Sequence, residues 1–216
     1  MTDMNKLLGL LALLSLAGCG GLSKYQLKND YYEFHQPGQP YTKVFVRVKE
    51  DSIEVTKLNE STEVVRGQDE YFIQKSFDID AMVVPFKYRP SSMGFPRQLN
   101  TSFNGNVYIG YRIDRFWLDY KNTPAGMVKE LKHSAITVGG FGGLGTAFIS
   151  PWSTNYQTTD EYDGVVLTRG LALMVGINSL TVGLGVGWDY LTDRDKDIWI
   201  YQNKAWYGLT LGLNIN

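Results

Sequence analysis

Few residues in this 216-residue chain have the types and spacing that chemistry requires. His133 and Ser134 adjoin. A histidine beside a serine suggests a base and a nucleophile, as in hydrolases that act on lipid esters. In a β-strand, however, neighbouring side chains point to opposite faces, so these two would not meet. His133 also follows Lys129, Glu130 and Lys132, a pattern that reads as a solvated charged run. No catalytic residue is assigned. The second histidine, His35, lies in a polar N-terminal stretch and suggests nothing.

Two further patterns resemble ligand motifs and fail on context. Asp193, Asp195 and Asp197 alternate like the opening of a calcium loop. Position six, which must be Gly, is Ile198, and position twelve is Lys204 where Glu is required. A charged, solvated loop is the expectation, with weak binding of calcium, or of a cation bridging lipopolysaccharide, as the alternative. Gly140-Phe141-Gly142-Gly143-Leu144-Gly145 satisfies the glycine spacing of a dinucleotide site. Such a site needs a helix next, and Thr146-Ala147-Phe148-Ile149 continues a strand instead. No cofactor and no metal site is assigned. Lys87, Arg112, Arg115 and Asp119 lie in or beside strands, where they should face an interior and pair.

The elements that would position these residues are strands. In 179–190, Leu180, Val182, Leu184, Val186, Trp188 and Tyr190 share one face, and Ser179, Thr181, Gly183, Gly185, Gly187 and Asp189 the other. In 205–215, Tyr207, Leu209, Leu211, Leu213 and Ile215 oppose Trp206, Gly208, Thr210, Gly212 and Asn214. In 165–177, Leu171, Leu173, Val175 and Ile177 oppose Gly170, Ala172, Met174 and Gly176. This period of two is strand, not helix. Strands are also expected near 78–88, 103–113, 115–121 and 135–148, with a tight reversal at Ile113-Asp114-Arg115. The uncharged stretches 134–152 and 170–188 are long enough for transmembrane helices, but the five glycines of 170–188 and its central Asn178-Ser179 argue for strand–turn–strand.

A strand that faces water carries charges, and these do not: 134–159, 170–188 and 205–216 contain no Asp, Glu, Lys or Arg. A lipid-facing strand must avoid charge. The small residues then fit a narrow lumen. Trp188, Tyr190, Trp199, Tyr201, Trp206 and Tyr207 cluster at strand ends, as aromatic residues do at a membrane interface. The expected fold is therefore all-β, an antiparallel up-and-down transmembrane β-barrel of about eight strands with a narrow lumen.

The N-terminus gives the address. Lys6 is followed by an apolar run, Leu7 to Ala17, too short to span a bilayer. It ends in Leu16-Ala17-Gly18-Cys19, which resembles the lipobox of bacterial lipoproteins. The resemblance implies removal of residues 1–18, acylation of Cys19 and, with Gly20 rather than Asp next, delivery to the outer membrane. Cys19 is the only cysteine, so no internal disulfide forms. Residues 19–42 then read as a polar tether, 43–77 as a hairpin (43–58) and polar loop with a candidate first barrel strand, and 78–216 as the barrel. The tethered end would lie in the periplasm, the turn at 177–179 on the same side, and loops 149–164 and 191–204 outside. A net charge of −1 gives no case for nucleic acid. The 23 glycines, gathered mainly after Gly139, are accounted for by the packed lumen.

The stretches EYDGVVLTRG (161–170), LTVGLGVGWDYL (180–191) and IWIYQNKAWYGLTLGLNIN (198–216) resemble a family of uncharacterised outer-membrane barrel proteins of Gram-negative bacteria. The resemblance implies the fold and no activity. The terminal Asn214-Ile215-Asn216 departs from the aromatic ending common in such barrels. Three functions follow in order: a non-enzymatic lipid-anchored barrel that meets outer-membrane lipid, with an external loop ligand or a small-solute lumen; a soluble lipid-tethered carrier of lipocalin type; and a lipid-modifying barrel enzyme using His133 and Ser134.

Overall fold

The structure is a computed structural model that describes residues 27–49, 52–57, 62–64, 70–102, 104–124, 126–177 and 180–215. Cys19, the leader before it and the turn residues 178–179 lie outside the described residues. The strands are β1 (Asp30–His35), β2 (Thr42–Val48), β3 (Ile53–Lys57), β4 (Thr62–Val64), β5 (Glu70–Arg89), β6 (Gln98–Asn100), β7 (Asn104–Thr123), β8 (Gly126–Ile149), β9 (Tyr162–Ile177), β10 (Leu180–Leu191) and β11 (Ala205–Asn214). All pairings are antiparallel, and no helix of the described residues is long and apolar enough to cross a membrane.

Six long strands close on themselves. β5, β7, β8, β9, β10 and β11 pair in that order, and β11 returns to β5. The expected count of about eight is therefore corrected to six in the ring. The difference lies in β7. The reversal expected at Ile113-Asp114-Arg115 does not exist: β7 runs straight through these residues, paired with β5 on one edge and β8 on the other. Arg112 and Asp114 look like turn residues in sequence because they are charged. They are inward-facing strand residues, buried beside exposed Ile113.

β5 joins two bodies. Its upper half, Asp80 to Tyr88, pairs with β11, and on the same edge Tyr71 to Ile73 pairs with β1. From β1 the sheet continues outward through β2, β3 and β4. Asp30–His35, expected within a tether, is thus a strand held between two neighbours. The 43–58 hairpin is observed as β2 and β3, but it extends the lower sheet and takes no part in the ring. Between 59 and 77, expected as loop, lie β4 and the first eight of the 20 residues of β5.

The two bodies bury opposite things. The lower sheet packs Tyr32, Phe34, Val44, Val46, Ile53, Val55, Phe72 and Phe116 into an apolar core. Phe34 stacks on Phe72 at 4.8 Å between ring centroids. Ion pairs cover its outside: Lys75 with Glu33 at 2.8 Å, Lys121 with Glu130, and Lys132 with Asp119. In the ring the order is inverted. Leu171, Leu173 and Val175 of β9 are exposed, while Thr168, Ala172, Met174 and Gly176 are turned in. On β10 and β11, Leu180, Val182, Leu184 and Leu213 are exposed and Val186, Leu209 and Leu211 half-buried, while Gly185, Gly187, Gly208, Thr210 and Gly212 are buried. The inner glycines admit bulky partners. Trp206 lies against Gly187 and Gly208, where any Cβ would overlap its indole or its neighbours. Alternation slips once, at Pro85. There three steps of β5, from Val83 to Phe86, face two of β11, from Leu211 to Leu209. A bulge is where a residue without an amide hydrogen is tolerated.

The segments after β5, β8 and β10 cover the upper mouth of the ring. Trp199, Ile200 and Tyr201 pack on Ala147, Ile149, Val166 and Leu191. A short turn at Trp152–Thr154 is pinned to them by the Ile200 amide, which donates to the Ser153 carbonyl at 3.0 Å.

Candidate functional site

The inward positions of the ring strands form three layers. In the upper layer Asp189 of β10 is fully buried. Its carboxylate accepts from Lys87 Nζ at 2.9 and 3.0 Å, from Thr168 Oγ1 at 2.8 Å and from the Arg89 guanidinium. Lys87 Nζ also donates to Asn104 Oδ1 at 2.8 Å and lies 4.6 Å from the Trp206 ring centroid. Arg89 lies against the rings of Trp199 and Tyr201, at 5.3 and 5.1 Å, which ties this layer to the cap. Four strands, β5, β7, β9 and β10, each supply a member. Two cations against one carboxylate is an arrangement that excludes solvent and tolerates no deletion.

The middle layer is apolar. Met82, Val84, Tyr108, Phe141, Ala172, Met174 and Trp206 pack together across the ring. Tyr108 carries the only hydroxyl of this cluster, and it bonds Thr137 Oγ1 at 2.9 Å. In the lower layer Arg112 meets Asp114 at 2.9 Å through Nε and Asp78 at 3.4 Å through Nη1. Asn214 donates to Asp78 at 2.6 Å, and Thr181 to Asp80 at 2.8 Å. Here carboxylates outnumber the cation, so the two charged layers are opposite in balance and separated by the apolar one.

Each residue singled out in the sequence can now be placed. His133 is buried, not solvated: its Nε2 lies 2.7 Å from Asp114 Oδ1 and its ring packs on Phe116 at 4.8 Å. His133 shares a register position with Phe116 on the inner face, whereas Ser134 is opposite Arg115 on the outer one. A histidine held by a carboxylate supplies two of the three members of a catalytic triad, and the adjacent serine points away from it. Lys87 and Arg112 face inward and pair, as expected. Arg115 points outward over the rings of Tyr71 and Trp117, at 5.1 and 5.4 Å, and Asp119 belongs to the charged exterior of the lower hairpin. Gly140–Gly145 runs within β8, with no helix after it. Asp193 and Asp195 both accept from the Tyr162 hydroxyl, at 3.0 and 2.8 Å, and Arg194 pairs with Asp160. Among the described residues no three acidic, histidine or cysteine side chains converge as metal ligands. Sequence reasoning placed Asp189 on the small-residue face of its strand but gave it no role, and it passed over Arg89, Asp78 and Asp80. For Asp189 the signal was present, an ionisable residue on the alternation phase of Gly and Thr; β5 has no Gly or Thr, and its one Ala, Ala81, is exposed, so Asp78, Asp80 and Arg89 carried no such mark.

Comparison of the chain with protein-family models, with curated proteins and with solved structures gives no match.

Proposed function

We propose that this protein is a membrane-embedded β-barrel, anchored through acylated Cys19 in a bacterial outer membrane, that acts by binding at its surfaces and not by passing solutes through its centre. One observation carries the reading: the ring strands expose Leu, Val, Ile and Phe and bury Lys87, Arg112 and Asp189. A chain folded for water puts charge outside, and its own lower sheet does so. Lipid reverses the preference, since a charge at mid-depth costs about 2–4 kcal/mol on the outer wall of such a barrel.

The dimensions agree. On β5 the outer face runs from Phe77, beside Tyr111, to Tyr88, beside Tyr207. At about 3.3 Å per residue that is roughly 36 Å of strand. A tilt of about 45° reduces the height to roughly 25 Å, the thickness of an outer-membrane apolar band. Aromatic rings at both levels match interfacial girdles. A soluble carrier needs the reverse orientation, with apolar side chains turned inward around a ligand. A lipid-modifying enzyme needs His133 and Ser134 on one face. In the proposed orientation the lower sheet is periplasmic and the cap external.

Replacing Cys19→Ala removes the acyl anchor and separates the readings. The embedded barrel stays in the membrane pellet through a carbonate wash and runs as a faster band on gels when unheated. Release of the variant into the supernatant, monomeric without detergent, would replace this reading with that of a tethered carrier.

A further inference from the structure

Among the described residues, a single charged side chain stands on the outer face of the ring from its lower aromatic level up to its upper one. Arg169 of β9 is exposed there, and among the described residues no acidic side chain pairs with it. Its register neighbour on β10 is Trp188, so it stands at the upper, cap-side aromatic level. An unpaired guanidinium on a lipid-facing wall needs an anion, and at that depth the anions present are lipid headgroups.

Beside Arg169 the wall is hollow. A groove of about 760 Å³ runs over Gly140 and Gly142 of β8, between Val107 and Ile109 of β7 and Leu171 of β9. Interior glycines of the ring are crowded, most of all where backbone lies close, as at Gly143, where a Cβ would strike the Gly105 carbonyl. These two outer ones do have space. A Cβ on Gly142 would find its nearest neighbour, the Thr168 carbonyl, at 3.7 Å, and one on Gly140 the Gly170 carbonyl at 3.6 Å. Packing of the chain against itself therefore does not account for the hollow. Asn203 borders the groove and also a second recess of about 350 Å³ on the other side of Arg169, against Tyr190.

We propose that this groove holds one acyl chain of a phosphate-bearing lipid of the external leaflet, with the phosphate on Arg169 and Asn203. The inference rests on the membrane reading above. An apolar trough selects the chain, the lone cation selects the phosphate, and Asn203 adds an amide donor at the same rim.

The test uses the mature acylated protein in mild detergent, followed by native mass spectrometry. The probes are dioleoylphosphatidylglycerol, dioleoylglycerol with the same chains and no phosphate, and glycerol 3-phosphate with no chains. One phosphatidylglycerol per protein is expected to survive activation that strips other lipid, with at least ten-fold weaker retention of dioleoylglycerol and no displacement by glycerol 3-phosphate. Arg169→Gln should bring phosphatidylglycerol down to the dioleoylglycerol level, and Arg169→Lys should keep most of the retention. Gly142→Leu leaves the cation intact, fills the trough and should lose retention as strongly. The unheated gel band confirms that each variant is folded. Equal retention of the two diacyl lipids overturns the proposal, as does unchanged retention in Arg169→Gln and Gly142→Leu, displacement by glycerol 3-phosphate, or a dimer that covers this face. Failure of the membrane reading shows separately, as carbonate release of the Cys19→Ala chain.

Discussion

Asp189 is the side chain on which the upper layer depends. It neutralises Lys87 at 2.9 Å and is also bonded by Arg89, and all three are buried. Removing one partner of a buried pair leaves a charge without compensation and costs about 3–5 kcal/mol. Asp189→Ala is therefore expected to lower sharply the temperature at which the unheated gel band is lost, while Asp163→Ala, on the exposed rim, should shift it little. Tyr162 tests the cap. Burial, and then the Asp195 and Asp193 carboxylates that accept from it, hold its phenol protonated above the ordinary tyrosine range. Because the folded value is raised, the stabilisation is complete below pH 10 and is lost only as pH rises through the elevated folded value. Tyr162→Phe should loosen the cap by about 1 kcal/mol, read as faster amide exchange in residues 192–204 at neutral pH, with the difference vanishing in strong alkali. Inward ionisable residues were partly legible in sequence, Lys87 and Arg112 among them. Their partners were not: strand register decides who meets whom, and Lys87 and Asp189 are far apart in the chain.

At the scale of the strand, alternation was the strongest signal and is what the structure bears out. Over the described residues 180–190 and 205–215 the faces read from sequence are the faces observed, with Leu184 exposed and Thr210 buried. Where an inner face carries charge, as at Arg112 and Asp114, the same alternation was mistaken for a turn. The ends of β5 and β8 were missed because their lower halves face water on one side and so carry Lys and Glu like loops. Two substitutions test the assignment of faces. Leu184→Arg, near the middle of the outer wall, should cost about 2–4 kcal/mol in a bilayer. Measured as a urea midpoint in liposomes, a shift that small surface changes also produce would mean that this face does not meet hydrocarbon. Gly187→Val drives a branched side chain into the Trp206 indole, an overpacking that costs typically 1–3 kcal/mol, with the intrinsic fluorescence of the folded state altered.

Over the whole molecule, the six-stranded ring explains why the lumen is filled. Narrow barrels have room only for packed side chains. Two charged layers, the apolar layer between them, the cap above and the lower core below fill the interior. The shared strand β5 runs through both parts, pairing with β11 in the ring and with β1 in the lower sheet. This architecture was legible in sequence as far as all-β and charge-free outer strands. The closure at six strands depends on β11 returning to β5, a contact between distant segments that no local pattern records. The central claim is that the ring's exterior meets hydrocarbon. The direct measurement is spin-label accessibility in liposomes, with single cysteines placed at Leu184, Val138, Lys75 and Thr192 in the Cys19→Ala chain. Labels at Leu184 and Val138 should collide with dissolved oxygen and be shielded from a water-soluble nickel chelate, while those at Lys75 and Thr192 show the opposite. A label at Leu184 that the chelate reaches as freely as the one at Lys75 would contradict the account.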